Sequence, residues 1–154
     1  MNLKKPSPLI IVIIFVLVTV VCLFFIKNQN QISSKINFVK IAGQDIKVDL
    51  ALTSQSQEQG LSGRAYLKEN EGMLFGFEKP AVYYFWMKDM NFPIDMIWIG
   101  DDSRVMYIKK DARPDSYPEA FGPKQNAKYV LEVVSGFSEK NNLKEGDSVT
   151  FLEK

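Results

Sequence analysis

The chain has 154 residues with no histidine and a single cysteine, so histidine-based zinc, haem and nucleophile sites and an intramolecular disulfide are excluded. Its first 36 residues contain four lysines and no acidic residue, which leaves 15 basic and 18 acidic residues in the remainder. A net charge near −3 over that part argues against nucleic-acid partners, because phosphate binding needs a basic surface.

An uncharged and almost wholly apolar run spans residues 9–26. A helix rises 1.5 Å per residue, so this run would measure about 27 Å, enough to cross a bilayer core. A cleaved signal peptide would need a shorter apolar region and a small-x-small cleavage site, which residues 23–26 do not offer. We therefore expect a single uncleaved transmembrane helix within residues 1–27, a cell-membrane location, and the soluble domain on the outer face.

A polar segment rich in asparagine and glutamine follows the predicted anchor at residues 28–36. Its composition is typical of a short flexible tether. The remaining residues, 37–154, suit one soluble domain.

Alternating apolar residues predict a β-hairpin over residues 38–52 at the start of this domain. A short helix is expected next, because Ser54 is a good N-cap, Gln57 could complete a capping box and Gly60 suits the C-cap.

Short strand-like segments dominate the rest of the domain, at residues 73–75, 81–87, 96–99, 105–108, 129–134 and 149–152. With one short helix and no long amphipathic one, the pattern predicts a compact, mostly-β, α+β domain. Closure into a small barrel would remove exposed strand edges. Residues 111–128 contain three prolines and no periodicity, which fits either a binding loop or a proline-stiffened surface crossover.

The most specific stretch is residues 85–95, Phe-Trp-Met-Lys-Asp-Met-Asn-Phe-Pro-Ile-Asp. Together with motifs at residues 60–67, 72–77, 130–136 and 146–149, it resembles domain-of-unknown-function family 192 over about residues 38–152. The resemblance implies a compact β-rich α+β fold, often behind an N-terminal signal or anchor, with no established reaction or ligand. The chain departs from the family pattern at Ser62, where methionine is usual, and at Asp89 and Met90, where asparagine-threonine is usual.

Asp95 leads into an apolar strand, where an unpaired carboxylate would be costly to bury. It could bind a metal or act as an acid or base. We favour a structural role, in which Asp95 accepts hydrogen bonds from backbone N–H groups of a turn and is paired with Lys88 or Arg64.

Glu132 shares a strand face with the apolar Val130 and Val134. This pattern predicts burial with a raised pKa, or a dedicated cation such as Arg64 or Lys88.

A functional alternative brings Glu132 and Asp95 together, with Asp147 joining them. Such a cluster could hold Mg²⁺ or Ca²⁺, or supply the acid/base pair of glycan hydrolysis.

Six aromatic residues lie at positions 83–98, among them Trp86. Their density would suit a face that stacks on carbohydrate or peptide. Aromatic residues that alternate in strands are more often core, however, and on that basis we expect Trp86 to be buried.

These observations predict a non-enzymatic, membrane-tethered accessory domain that binds an envelope protein or glycan through residues 86–95 and the proline-rich segment. The alternative is a carboxylate-based enzyme, hydrolysing envelope glycan or using a metal, with Asp95 and Glu132 as the working pair. The sequence contains no phosphate-binding loop, nucleotide fingerprint or metal-spaced cluster, so no cofactor or metal is expected. The candidate binding residues are Arg64, Trp86, Lys88, Asp95, Glu132 and Asp147.

Overall fold

The computed structural model describes residues 14–21 and 35–153. Residues 14–21 are helical, and their apolar side chains are largely exposed, Phe15 by 70%. Across the two described ranges, no helix is long and apolar enough to cross a membrane. Most of the predicted anchor and tether lies outside the described residues, so both stay predictions.

Residues 35–153 form a mostly-β, α+β domain, as predicted from the sequence. In chain order the elements are β1 (Phe38–Ile41), β2 (Gln44–Ala51), α1 (Ser54–Gln59), β3 (Glu71–Ala81), β4 (Phe85–Trp86), β5 (Ile94–Ile99), β6 (Val105–Ala112), a 3₁₀ helix (Pro114–Ser116), β7 (Ala120–Phe121), β8 (Ala127–Val134), α2 (Phe137–Lys140) and β9 (Val149–Leu152).

Seven strands form one sheet in the order β6-β5-β8-β3-β2-β1-β9, and β4 and β7 form a separate two-stranded sheet. Strands β2 and β3 are parallel, and the other pairs described are antiparallel.

The two edges of the large sheet meet at one end. The N–H of Val105, at the start of β6, donates to the carbonyl of Asp147 at 2.9 Å, and the N–H of Gly146 donates to the carbonyl of Val105 at 2.7 Å. These bonds join the start of β6 to the turn before β9, so the sheet curls into a partly closed barrel.

Both faces of the central strands are buried. On one face Ile97 and Leu131 belong to a core cluster, and on the other Met96 and Trp98 belong to a second cluster. Every residue of β5 is buried as a result. A polar side chain on the central strands is therefore enclosed whichever face it occupies.

The start of α1 corrects one sequence prediction. The N-cap is Thr53 rather than Ser54, and the capping box pairs Thr53 with Ser56 rather than involving Gln57. Gly60 is the C-cap, as predicted.

The predicted strand at residues 81–87 is also wrong, because only Phe85 and Trp86 in it form a separate strand. The preceding residues are held by side-chain hydrogen bonds instead of a ladder. The Tyr83 hydroxyl donates to the carbonyl of Lys79 at 2.7 Å, and the Trp98 indole N–H donates to the carbonyl of Tyr83 at 2.8 Å.

Candidate functional site

Glu132 lies near the middle of β8, and its side chain occupies a buried face of the sheet. The strand register places it beside Met73 of β3 and Met96 of β5, and only 5% of the residue is exposed. Neither methionine side chain has an N–H or O–H group that could donate a hydrogen bond. The carboxyl oxygen Oε2 of Glu132 is buried without a hydrogen-bond partner among the residues described. Ionising a carboxyl in such surroundings is costly.

Burial raises the pKa of Glu132 to about 8, although the positive charge of Arg64 acts in the opposite direction. The group is thus mainly a neutral carboxylic acid at neutral pH, able to donate one hydrogen bond. This confirms the predicted burial and raised pKa. The predicted dedicated cation is wrong, because Arg64 pairs with Asp49 at 2.7 Å and no ion pair of residues 35–153 includes Glu132 or Lys88.

Glu132 lines a small pocket of about 60 Å³, called here the Glu132 pocket. Its walls combine aromatic and apolar side chains with a polar rim supplied by α1 and the turn after it. Besides Glu132, the lining residues are Gln57, Glu58, Gln59, Gly60, Leu61, Ser62, Phe75, Phe85, Trp86 and Met90.

The walls of the Glu132 pocket are held in place by packing and by one long-range hydrogen bond. Phe85 makes edge-to-face contacts with Phe75 at 4.8 Å and with Trp98 at 5.8 Å between ring centroids. The Gln57 amide donates to the carbonyl of Gly76 at 2.9 Å, which fixes α1 to β3.

Two of the sequence motifs meet beside this pocket. The Ser62 hydroxyl donates to the carbonyl of Lys88 at 2.9 Å, and the N–H of Gly63 donates to the carbonyl of Asp89 at 2.9 Å. Ser62 and Met90 both line the pocket.

Asp95 lies outside the Glu132 pocket and is fully buried. Its carboxylate accepts hydrogen bonds from the backbone N–H groups of Asp111 at 2.9 Å, Ser138 at 2.8 Å and Gly136 at 3.3 Å. Asp95 thus joins β5 to the end of β6 and to the start of α2. The predicted anchoring role, with backbone N–H groups as donors, is confirmed, whereas the expected pairing with Lys88 or Arg64 is not among the ion pairs of residues 35–153.

The proposed pairing of Asp95 with Glu132 is not found. In the antiparallel register Asp95 faces Val133 and Glu132 faces Met96, so the two carboxyl groups lie on opposite faces of the sheet. Asp147 is elsewhere, in the turn before β9, where it accepts a hydrogen bond from the N–H of Lys144 at 2.9 Å. Within the described residues no three acidic, cysteine or histidine side chains are grouped as a metal site would require.

The expectation that Trp86 is buried is wrong, because 57% of the residue is exposed. Its neighbour Phe85 is partly buried and packs against the core instead, since alternate residues of a strand point in opposite directions.

The exposed ring of Trp86 meets Tyr117 of the proline-rich segment. Their ring centroids are 6.4 Å apart in an edge-on arrangement, and 48% of Tyr117 is exposed. The pairing of Trp86 with Ala120 between β4 and β7 places this segment beside the pocket. We call Trp86 and Tyr117 the aromatic surface.

Sequence reasoning missed the contribution of α1 to the site. Glu58 is an exposed acidic residue on the rim of the pocket that holds Glu132, and Gln57 and Gln59 lie beside it. The only signal was the polar composition of this short helix, which is equally typical of a solvated surface.

A family model for domain-of-unknown-function family 192, described as "Uncharacterized ACR", matches residues 37–151. The chain belongs to domain-of-unknown-function family 192. The match covers nearly the whole folded domain and confirms the resemblance found in the sequence motifs. No curated protein matches the chain.

Five chains of solved structures resemble this family 192 protein. One, from Sinorhizobium meliloti 1021 and described provisionally as a transcription regulator, has a TM-score of 0.71 and 28% identity. The match covers 79% of this chain and 97% of that one. Another, a protein of unknown function from Novosphingobium aromaticivorans DSM 12444, has a TM-score of 0.71 and 33% identity, and the match covers 75% and 84% of the two chains.

Proposed function

We propose that this family 192 protein is a membrane-tethered, non-enzymatic binding domain of the cell envelope, and that its ligand is a glycan. The observation behind this proposal is the position of Trp86, which forms part of the Glu132 pocket and is also more than half exposed beside Tyr117. An exposed tryptophan next to a pocket with a buried polar group is a typical arrangement for holding a ligand that is partly apolar and partly polar.

The chemistry of this surface suits a sugar. A pyranose ring has apolar C–H faces that can lie against the Trp86 and Tyr117 rings, and hydroxyl groups that can bond to the polar rim of the pocket. The rim offers amide and hydroxyl side chains, including those of Gln59 and Ser62. The net charge near −3 after residue 36 disfavours polyanionic ligands, and for that reason we do not extend the transcription-regulator description of the Sinorhizobium relative to this chain.

Two observations support the membrane anchor, one from the amino-acid sequence and one from residues 14–21. The uncharged run at residues 9–26 is long enough to cross a bilayer. The helical residues 14–21 expose their apolar side chains, as is typical of a segment that lies in lipid.

Intrinsic fluorescence provides a direct test of glycan binding. The chain has two tryptophans, and Trp98 is fully buried, so a change caused by a surface ligand reports on Trp86. We expect the full-length protein in detergent micelles to show saturable fluorescence changes on titration with soluble oligosaccharides of envelope glycan. Trp86→Ala should abolish binding measured by calorimetry, whereas Tyr66→Ala, an exposed aromatic outside the pocket, should not. Equal binding by the Trp86→Ala variant would refute this surface as the binding site.

A second candidate is a carboxylate-based glycan hydrolase. It is favoured by one observation, the presence of Glu58 on the rim of the pocket that contains the protonated Glu132. Two carboxyl groups of unequal environment could divide the roles of acid and nucleophile or base. Release of reducing ends from envelope polysaccharide by the wild type, lost in both Glu58→Gln and Glu132→Gln, would establish it. Binding without any turnover would leave the binding domain as the function.

A further inference from the structure

The Glu132 pocket is too small to enclose a sugar ring. Its volume of about 60 Å³ compares with roughly 300–1,000 Å³ for pockets that enclose a whole small molecule. It can therefore receive one substituent of a ligand whose larger part lies against the aromatic surface outside.

The lining of the pocket defines the substituent. Phe75, Leu61 and Met90 form apolar walls, and Glu132, of which 5% is exposed, is the buried polar group among them. Its Oε2 atom has no partner within the described part of the chain. A buried polar atom without a partner is uncommon in folded proteins, and a ligand that supplies the missing hydrogen bond would relieve it.

We propose that the Glu132 pocket receives the N-acetyl group of an N-acetylated amino sugar, with the methyl against the apolar walls and the carbonyl oxygen bonded to the Glu132 carboxyl. The inference rests on the glycan ligand proposed above and names the sugar class that the same site selects.

Hydrogen-bond complementarity supports this assignment. Burial keeps Glu132 mainly protonated at neutral pH, so it has an O–H to give, and the acetamide carbonyl is an acceptor. The acetamide N–H then needs an acceptor near the mouth of the pocket. The Glu58 carboxylate and the Ser62 hydroxyl oxygen lie on the rim. The Ser62 hydroxyl donates its proton to the carbonyl of Lys88, so its oxygen can still accept a hydrogen bond.

An ammonium group fits the pocket less well than an acetamide. It would need an ionised Glu132, but this residue lies between Met73 and Met96 with only 5% of its surface exposed, where ionisation is costly. Arg64, whose positive charge acts on Glu132, is already paired with Asp49.

Three oligosaccharides of equal length and linkage separate these chemistries when titrated calorimetrically into the full-length protein in detergent micelles. They are the β-1,4-linked tetramers of N-acetylglucosamine, glucose and glucosamine. We expect the N-acetylated tetramer to bind about tenfold or more tightly than the glucose tetramer at pH 6.5, because only the former has an acetyl methyl to fill the pocket and a carbonyl oxygen to accept from Glu132. The preference should decline above about pH 8, where Glu132 loses its proton.

Two variants make the test specific for the hydrogen bond. Glu132→Gln keeps a donor that does not titrate, so its preference for the N-acetylated tetramer should persist at pH 9. Glu132→Met removes the donor but keeps an apolar side chain of similar size, so the preference should disappear at every pH. Circular dichroism of both variants serves to check that they fold as the wild type does.

The outcomes distinguish this inference from the proposed function. Equal binding of the N-acetylated and glucose tetramers would overturn the acetamide site and leave glycan binding intact. Tightest binding of the glucosamine tetramer, lost in Glu132→Gln, would overturn it in favour of an ammonium group paired with an ionised Glu132. No binding by any tetramer would overturn both proposals.

Discussion

Asp95 and Glu132 lie on adjacent strands, yet their side chains occupy opposite faces of the same sheet. The register pairs Asp95 with Val133 and Met96 with Glu132, so the two carboxyl groups belong to different environments. Asp95 accepts three backbone N–H groups, whereas Glu132 Oε2 accepts none among the described residues. One carboxyl group is therefore part of the scaffold, and the other is available to a ligand.

The unusual environment of Glu132 predicts a characteristic dependence of stability on pH. Burial raises its pKa from 4.5 to about 8 in the folded state, so between those values the folded protein binds a proton that the unfolded chain has released. The free energy of unfolding should therefore fall as the pH rises through this window, with a contribution from this group of roughly 1.4 kcal/mol per pH unit.

Urea unfolding of wild type and Glu132→Gln between pH 5 and pH 9 measures this contribution. The difference between the two should grow in favour of the glutamine variant as the pH rises, and level off above about pH 8. Glu119→Gln, at an exposed position, serves as the matched control and should follow the wild type. Parallel curves for wild type and Glu132→Gln would contradict the buried-acid assignment.

Asp95 should be far more important for stability than for binding. Asp95→Ala leaves the N–H groups of Asp111 and Ser138 without their acceptor in a buried region, which we expect to cost about 3 kcal/mol or more. Asp115→Ala, at an exposed aspartate, should change stability by less than about 0.5 kcal/mol. Chemical denaturation gives both values, and a near-neutral Asp95→Ala would show that these hydrogen bonds contribute little.

The two tryptophans should behave as opposites. Trp98 is fully buried and Trp86 is 57% exposed, so Trp98→Ala should cost about 3–5 kcal/mol and Trp86→Ala less than about 1 kcal/mol. Acrylamide quenching provides a second measure. Fluorescence of the Trp98→Phe variant, which retains Trp86, should be quenched readily, and that of Trp86→Phe should be largely protected. Similar quenching in the two variants would contradict the assigned exposures.

Gly72 lies in β3, beside Glu132, at a position with no room for a side chain. A Cβ there would lie 2.7 Å from the Glu132 carbonyl oxygen and 3.3 Å from the Val133 side chain. Since the closer atom belongs to the backbone of a central strand, Gly72→Ala should destabilise the domain by about 1–3 kcal/mol. Gly43→Ala is a useful comparison, because a Cβ at Gly43 meets nothing within 4 Å and only its positive φ opposes the change. A wild-type unfolding midpoint for Gly72→Ala would show that β3 and β8 can separate at this point.

Local patterns were sufficient for much of the fold. Alternation along residues 38–52 predicted a β-hairpin that the structure contains as β1 and β2. Burial of Glu132 also followed from Val130 and Val134, the apolar residues on either side of it on the same strand face, because residues two apart in a strand share a face. Prediction failed at residues 81–87, where side-chain hydrogen bonds of Tyr83 and Trp98 replace a continuous ladder.

The amino-acid sequence by itself determined the residue types available for chemistry, the family, the β-rich class and the burial of Glu132. These depend on composition and on interactions between residues close together in the chain. Only the tertiary structure decided that Asp95 and Glu132 face apart, that Trp86 is exposed while Phe85 packs against the core, and that α1 completes a pocket over Glu132. Strand order and register set these relationships, and they arise from packing between segments up to about 75 residues apart, such as Gln57 and Glu132, which no local pattern records.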